Sequence, residues 1–310
     1  MENIIWLFKY NEVNSYYQLY GQDRKKCKKE YDSYIDYYSF REQRNYLNKI
    51  GRLSSQTILL RDKFLFYKYL KSFGIPTPKV FALYSKGMLL DVNLKEFKEE
   101  TTFDVNREEY FVKDKDGECA SFVKKIESGY DINEVINDLP HGSDLIFQEK
   151  IIQCEEMNLL NPESINTIRI VTENLSGSPQ VFSSVLRVGN KNTGNVDNWA
   201  TGGIAIGIKA DGTLKQYGFM KPINGLKVDC HPDTGVVFSE FKVPYYVEAC
   251  ELACKAHKAF YNVATIGWDI AISNVGPIII EGNDNWEISL MQACNEGYKQ
   301  KWSNLIKNFM

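Results

Sequence analysis

The sequence contains no apolar run near the roughly 20 residues that a membrane-spanning helix requires, so no transmembrane segment is expected. The opening stretch MENIIWLFKYNEV carries too short an apolar run, with Glu2 already inside it, to resemble a secretory leader. A basic excess is absent too: 37 Lys and Arg stand against 40 Asp and Glu, and the net charge of -3 argues against nucleic acid as the main partner. No Ser/His/Asp or Cys/His arrangement suited to nucleophilic catalysis stands out. The seven cysteines (Cys27, Cys119, Cys154, Cys230, Cys250, Cys254, Cys294) are scattered and odd in number, which excludes a simple disulfide framework and points to a reducing, cytoplasmic setting. Cys250, Cys254 and His257 could share a helical face, but the sequence offers no fourth zinc ligand, so core cysteines are the favoured reading. Internal repeats and low-complexity tracts are also lacking.

What is present is an ordinary globular composition, 44% hydrophobic and 25% charged over 310 residues, enough for a full core in two or three lobes. Residues 1 to 60 read as a helical N-terminal region without proline, with Tyr34, Ile35, Tyr38 and Tyr46 on an apolar face. The basic run Arg24-Lys25-Lys26-Cys27-Lys28-Lys29 could touch an anionic membrane or acidic polysaccharide, but a solvated helix face is the favoured reading. From residue 61 to 152 helices and strands alternate in an α+β lobe. RDKFLFYKYLKSFG predicts a helix stopped by Gly74, IPTPKVFAL and YFVKD predict strands, SFVKKIESG a helix, and LIFQEKII a strand. From 153 to 310 the pattern turns mostly β, with INTIRIVTEN and QVFSSVLRVG as a hairpin, a Gly- and Asn-rich loop before IAIGIKADG, a helix from about Tyr245 to Tyr261, a last hairpin and a terminal helix.

The last hairpin, IGWDIAIS and PIIIEGN, holds the most informative residues. A three-residue loop Asn274-Val275-Gly276 would pair Ser273 with Pro277 and place Asp269 opposite Glu281, with Asn283 on the same face as Glu281. Facing carboxylates destabilise a sheet unless a cation offsets them, and three oxygen ligands are suited to magnesium. The alternative leaves Asp269 paired to a lysine and Glu281 and Asn283 in an exposed turn.

GWDIAIS followed by GPIIIEGN resembles the metal-binding end of the ATP-grasp superfamily. INTIRIVT, VDNWATGGIAIGI and HPDTG together resemble the sugar-transfer associated ATP-grasp family, and the likeness runs over about residues 55 to 290. The resemblance implies an α+β fold with two lobes clasping ATP, with Asp269, Glu281 and Asn283 as magnesium ligands for one or two ions that manganese could replace. It implies that Lys113 and Lys63 meet the phosphates and that the hinge Gln148, Glu149, Lys150 and Ile151 reads adenine. Glu156, or its neighbour Glu155, would bind ribose; the plain alternative for this stretch is an edge strand followed by a solvated acidic pair. Residues 114 to 121 take the place of the phosphate-covering loop but hold only Gly117 where relatives have more glycines. Arg169 and Arg187, on neighbouring strands, are the expected stabilisers of the transferring phosphoryl group, beside Lys113. Asn166, Asp197, Asn198, Gly202, Gly203 and His231 match positions of the narrower family, which implies that they line the acceptor side, and for His231 a hydrogen-bonded loop histidine is an equal reading.

The implied activity is ATP-dependent ligation of a carboxylate to an amine or amino acid through an acyl phosphate, the carboxylate being a sugar acid, nucleotide sugar or surface-polysaccharide precursor such as that of a capsule. A sugar kinase and a non-catalytic nucleotide-binding accessory protein of polysaccharide assembly are the alternatives.

Overall fold

The computed structural model describes residues 33–50, 55–97, 109–116, 122–139, 142–194, 202–221 and 226–309, together with Ile4, Leu7, Phe8, Tyr20, Asp197 and Trp199. The basic run from Arg24 to Lys29, the covering loop from Gly117 to Ser121 and Asn198 lie outside them.

Two antiparallel sheets and the helices between and around them make up the fold. Helix α1 (Tyr37–Ile50) is followed by α2 (Ser55–Arg61) and α3 (Lys63–Ser72). Strands β1 (Val80–Ser85), β2 (Met88–Asp91), β3 (Tyr110–Asp114), β4 (Val123–Ile126) and β5 (Leu145–Glu149) form a five-stranded sheet in the order β2-β1-β5-β3-β4, with α4 (Ile132–Asn137) against it. After the short α5 (Glu155–Asn158), strands β6 (Thr167–Glu173), β7 (Gln180–Val188), β8 (Ile204–Ile208), β9 (Leu214–Met220), β10 (Leu226–Val228), β11 (Thr265–Ser273) and β12 (Gly276–Asn283) build a seven-stranded sheet ordered β10-β9-β8-β7-β6-β11-β12. Helix α6 (Tyr246–Ala259) enters before β11, and α7 (Ile288–Cys294) and α8 (Lys299–Phe309) close the chain.

Helix α3 joins the two sheets because its apolar residues point two ways. Phe66 and Leu70 enter the core under the large sheet, whereas Phe64 and Tyr67 pack on Val80, Leu83 and Ile146 of the small one. Asp62 starts the helix as its N-cap, accepting from the Leu65 N–H, and Gly74, at φ +62°, takes the left-handed turn that ends the segment.

Strand β11 is buried along all nine residues, and its period of two divides it into faces of opposite chemistry. Ile266, Trp268, Ile270 and Ile272 pack with Ala249, Leu252, Ala253 and Ala256 of α6. Gly267, Asp269 and Ala271 take the other face, where the polar side chains gather.

Three expectations need correcting. SFVKKIESG is no helix: residues 123 to 126 form β4, because Val123 to Ile126 pair with the free edge of β3, and ladder pairing overrides the helical preference of the two lysines. In the N-terminal region Tyr34 and Ile35 precede α1, Ile35 being buried in the core it joins, while Tyr38 is half-buried and Tyr46 exposed; the buried face of α1 itself is Phe40, Arg44, Leu47 and Asn48. Arg44 is tolerated there because its guanidinium donates to the Trp286 carbonyl, to Asn285 and to Asn45. The final hairpin turns through two residues rather than three, pairing Ser273 with Gly276. An extra residue on β12, Ile280, then forms a bulge, and beyond it Asp269 again lies opposite Glu281.

Candidate active site

That bulge decides which face Glu281 occupies. Ile279, opposite Ile270, lies in the apolar core, and unbroken alternation would send Glu281 to the same side. The bulge turns Glu281 onto the polar face beside Asp269, and Asn283 follows it there, donating from Nδ2 to Glu281 Oε1 at 3.2 Å.

Two arginines converge on this acid pair. Arg169 on β6 is directly opposite Asp269, and its fork reaches both carboxylate oxygens, through Nε to Oδ1 and through Nη2 to Oδ2 at 2.9 Å. Arg187 on β7 sets Nη2 3.1 Å from Asp269 Oδ2 and 3.3 Å from Asp197 Oδ1. Burial raises the proton affinity of Asp269, but the Arg169 and Arg187 charges outweigh it and hold the carboxyl well below the usual range. For Glu281 burial acts in the same direction as the neighbouring Asp269, and together they push it up.

Gly267 makes room for this arrangement. A Cβ there would sit 2.7 Å from Trp286 Cβ and 3.5 Å from Arg169 Cδ, so only glycine lets the indole lie against the strand beside the arginine.

From the small sheet, Lys113 on β3 donates to Gln148 Oε1 at 2.9 Å. Burial lowers this lysine to about 8, with Glu281 opposing and Lys63 assisting the shift, so both lysines and Glu281 feel one another across the gap between sheets. Lys63 heads α3, its N–H bonded to the Lys115 carbonyl at 2.9 Å.

The remaining expected residues are spread over several settings. Glu149 accepts the Lys79 N–H at 2.8 Å, Lys150 is paired to Glu109, Ile151 is half-buried, and Glu155 and Glu156 are exposed in the first turn of α5. Asn166 is fully buried and donates to the Met157 and Asn161 carbonyls at 2.9 Å and to Gln153 at 3.2 Å, which anchors the connection leaving the small sheet. His231 is buried as well: Nε2 bonds the Gly189 carbonyl at 2.8 Å and Nδ1 accepts from the Asp233 and Thr234 N–H groups, the loop-histidine alternative. The Gly202 carbonyl accepts from Asn190 Nδ2, and Gly203 is buried just before β8. Cys250 and Cys254 are free thiols, and His257 is committed to Thr172 and Val263. Among the described residues no cluster of three or more His, Cys, Asp or Glu side chains suits a metal. Asp269, Glu281 and Asn283 instead offer two carboxylates and one amide, an all-oxygen set that fits magnesium shared with phosphate oxygens.

Sequence reasoning missed Thr167, whose hydroxyl receives Arg187 Nε and Nη2 at 3.1 and 2.8 Å, and also Gln153, Gly267 and Trp286. A glycine inside the apolar strand IGWDIAIS was the available signal for Gly267. No helix among the described residues is long and apolar enough to cross a membrane.

Solved structures of similar shape include N5-carboxyaminoimidazole synthase from Aspergillus clavatus in complex with ADP (12% identity, TM-score 0.42, covering 73% of this chain and 44% of that one). L-amino acid ligase from Bacillus licheniformis matches at 12% identity and TM-score 0.42, over 73% of this chain and 41% of that one. D-alanine-D-alanine ligase from Coxiella burnetii matches at 10% and 0.44, over 80% and 57%. The chain thus spans about half the length of the solved structures it matches. No curated protein matches it. The sugar-transfer associated ATP-grasp family model matches residues 122–306, which takes in Arg169, Arg187, residues 148 to 151 and the whole acid hairpin; the chain belongs to that family and has its α+β ATP-grasp fold.

Proposed function

We propose that this chain is an ATP-dependent carboxylate-amine ligase whose carboxylate is a sugar acid or a surface-polysaccharide precursor. The observation that carries the reading is the pair of Asp269, buried, and Glu281, half-buried, set face to face by a bulge and met by Arg169, Arg187, Lys63 and Lys113. A structural core has no use for that density of charge, whereas a triphosphate does.

Asp269, Glu281 and Asn283 would hold magnesium, which would supply positive charge to offset that of the phosphates. Lys113, kept in place by Gln148, and Lys63 supply cations to the phosphates. The backbone from Gln148 to Ile151 receives adenine, and an exposed acid at Glu156, or Glu155, receives the ribose hydroxyls. Arg169 and Arg187 present guanidinium forks to the phosphoryl group as it passes to the acceptor carboxylate, before an amine displaces phosphate. Positioning and charge stabilisation provide the rate, so no side-chain nucleophile is needed.

The test is ADP release from the full chain with magnesium and ATP, offered uronic acids, nucleotide sugars and amino acids singly and in pairs. Acid-dependent release that rises with an amine supports ligation, and a stable phosphosugar formed without amine would replace it by a kinase. Glu281→Gln should weaken magnesium-dependent ATP binding at least tenfold; unchanged affinity would remove the site assignment.

A further inference from the structure

Asp197 stands in the connection between β7 and β8, is 9% exposed, and has the Arg187 guanidinium as its ion-pair partner. Its Oδ2 accepts the Thr167 N–H at 3.1 Å and the Thr167 hydroxyl, while Oδ1 receives Arg187 Nη2 at 3.3 Å. The same Thr167 hydroxyl accepts from Arg187 Nε and Nη2. One carboxylate therefore grips both the strand that carries Thr167 and the guanidinium from the next strand.

The two arginines differ in what holds them. Arg169 has Asp269 as its carboxylate partner, whereas Arg187 has Asp269, Asp197 and Thr167. If Asp269 turns its oxygens to a cation, Arg169 loses that fork-to-carboxylate contact, but Arg187 keeps two anchors. A guanidinium retained on both sides holds its direction, while one released from the carboxylate its fork grips is free to move with the ligand.

We infer that Asp197 is a positioning residue, which, with the Thr167 hydroxyl, keeps the Arg187 fork aimed into the phosphate region. This rests on the nucleotide-binding reading of the site. It has a signature opposite to that of simple charge screening. An acid that only screened Arg187 would, on neutralisation, tighten binding of a polyanion; an acid that aims the arginine would weaken it when neutralised.

The experiment titrates the full chain with AMP-PNP in magnesium by calorimetry, for the wild type, Asp197→Asn, Arg187→Ala, Arg187→Lys and the double variant Asp197→Asn with Arg187→Ala. Arg187→Ala is expected to weaken binding about tenfold, the worth of one charge-assisted contact. Arg187→Lys, which keeps the charge but not the fork, should lose nearly as much. Asp197→Asn should lose severalfold, and the double variant should bind within about twofold of Arg187→Ala, because the acid acts through the arginine. Thr167→Val removes the shared hydroxyl and should reproduce the Asp197→Asn loss, which keeps the test decisive if Asp197→Asn folds poorly. Tighter or unchanged binding in Asp197→Asn and Thr167→Val, or losses that add in the double variant, would overturn the inference alone. Absence of wild-type binding, or binding indifferent to Glu281→Gln, would overturn the reading of the site and this inference with it.

Discussion

Single residues carry the tightest constraints in this molecule. At Gly267 an added methyl would lie 2.7 Å from the Cβ of Trp286, itself 1% exposed, and neither the strand nor the indole has space to yield. Gly267→Ala should cost about 1–3 kcal/mol of stability, read as a lower urea midpoint, and should disturb the neighbouring Arg169 as well. A midpoint unchanged from the wild type would show that Trp286 has freedom the packing does not suggest. Charged residues were legible by type but not by partner. Arg169 and Arg187 could be named from strand motifs, but that both meet Asp269, and that Asp197 and Thr167 hold the second, depends on residues 10 to 100 positions apart in the chain.

Elements show where alternation was a sufficient guide and where it was not. The strands of the final hairpin could be read from period-two patterning, yet the turn is one residue shorter than expected, and a bulge at Ile280 restores the pairing of Asp269 with Glu281. Behind that hairpin, α6 is locked to β6 and β11 by a polar chain inside an apolar layer. Trp268 Nε1 donates to the Thr172 hydroxyl at 2.8 Å, the hydroxyl donates to His257 Nδ1 at 2.6 Å, and His257 Nε2 donates to the Val263 carbonyl at 2.7 Å. The Thr172 hydroxyl donating to Nδ1 requires a neutral imidazole, and burial lowers His257 from 6.5 to about 4 although the Val263 carbonyl favours the charged ring. The unfolded chain takes up the proton below pH 6.5 and the folded one does not, so the stabilisation is complete above 6.5 and is lost as pH falls towards 4. Between pH 7 and pH 5 the wild type should lose about 2 kcal/mol more than His257→Gln in urea unfolding. Parallel pH profiles for the two proteins would contradict it.

The whole molecule joins what the sequence divides into a helical start and two lobes. Helix α1 contributes Phe40 and Leu47 to a core shared with Phe182, Trp286 and Trp302, and Asn48 bonds the Thr265 and Asp284 backbones on β11 and just beyond β12. Phe40 meets Trp286 edge-on and Trp302 at a tilt, 4.8 and 4.7 Å between centroids. Phe40→Ala should therefore remove about 3–4 kcal/mol and red-shift tryptophan emission, and a loss confined to the helix, with the large sheet unaffected, would argue for an independent N-terminal unit. The sequence by itself determined the α+β class, most strands, the family and the residue types of the site, because hydrophobic period and ordered motifs are local properties of a chain. Tertiary structure decided the rest: the ladder that turned residues 123 to 126 into an edge strand, the face of α1 that is buried, and the bulge that swung Glu281 out of the apolar core to lie opposite Asp269. Each of those depends on which distant surface an element meets, and burial and hydrogen-bond satisfaction act only once that surface is in place.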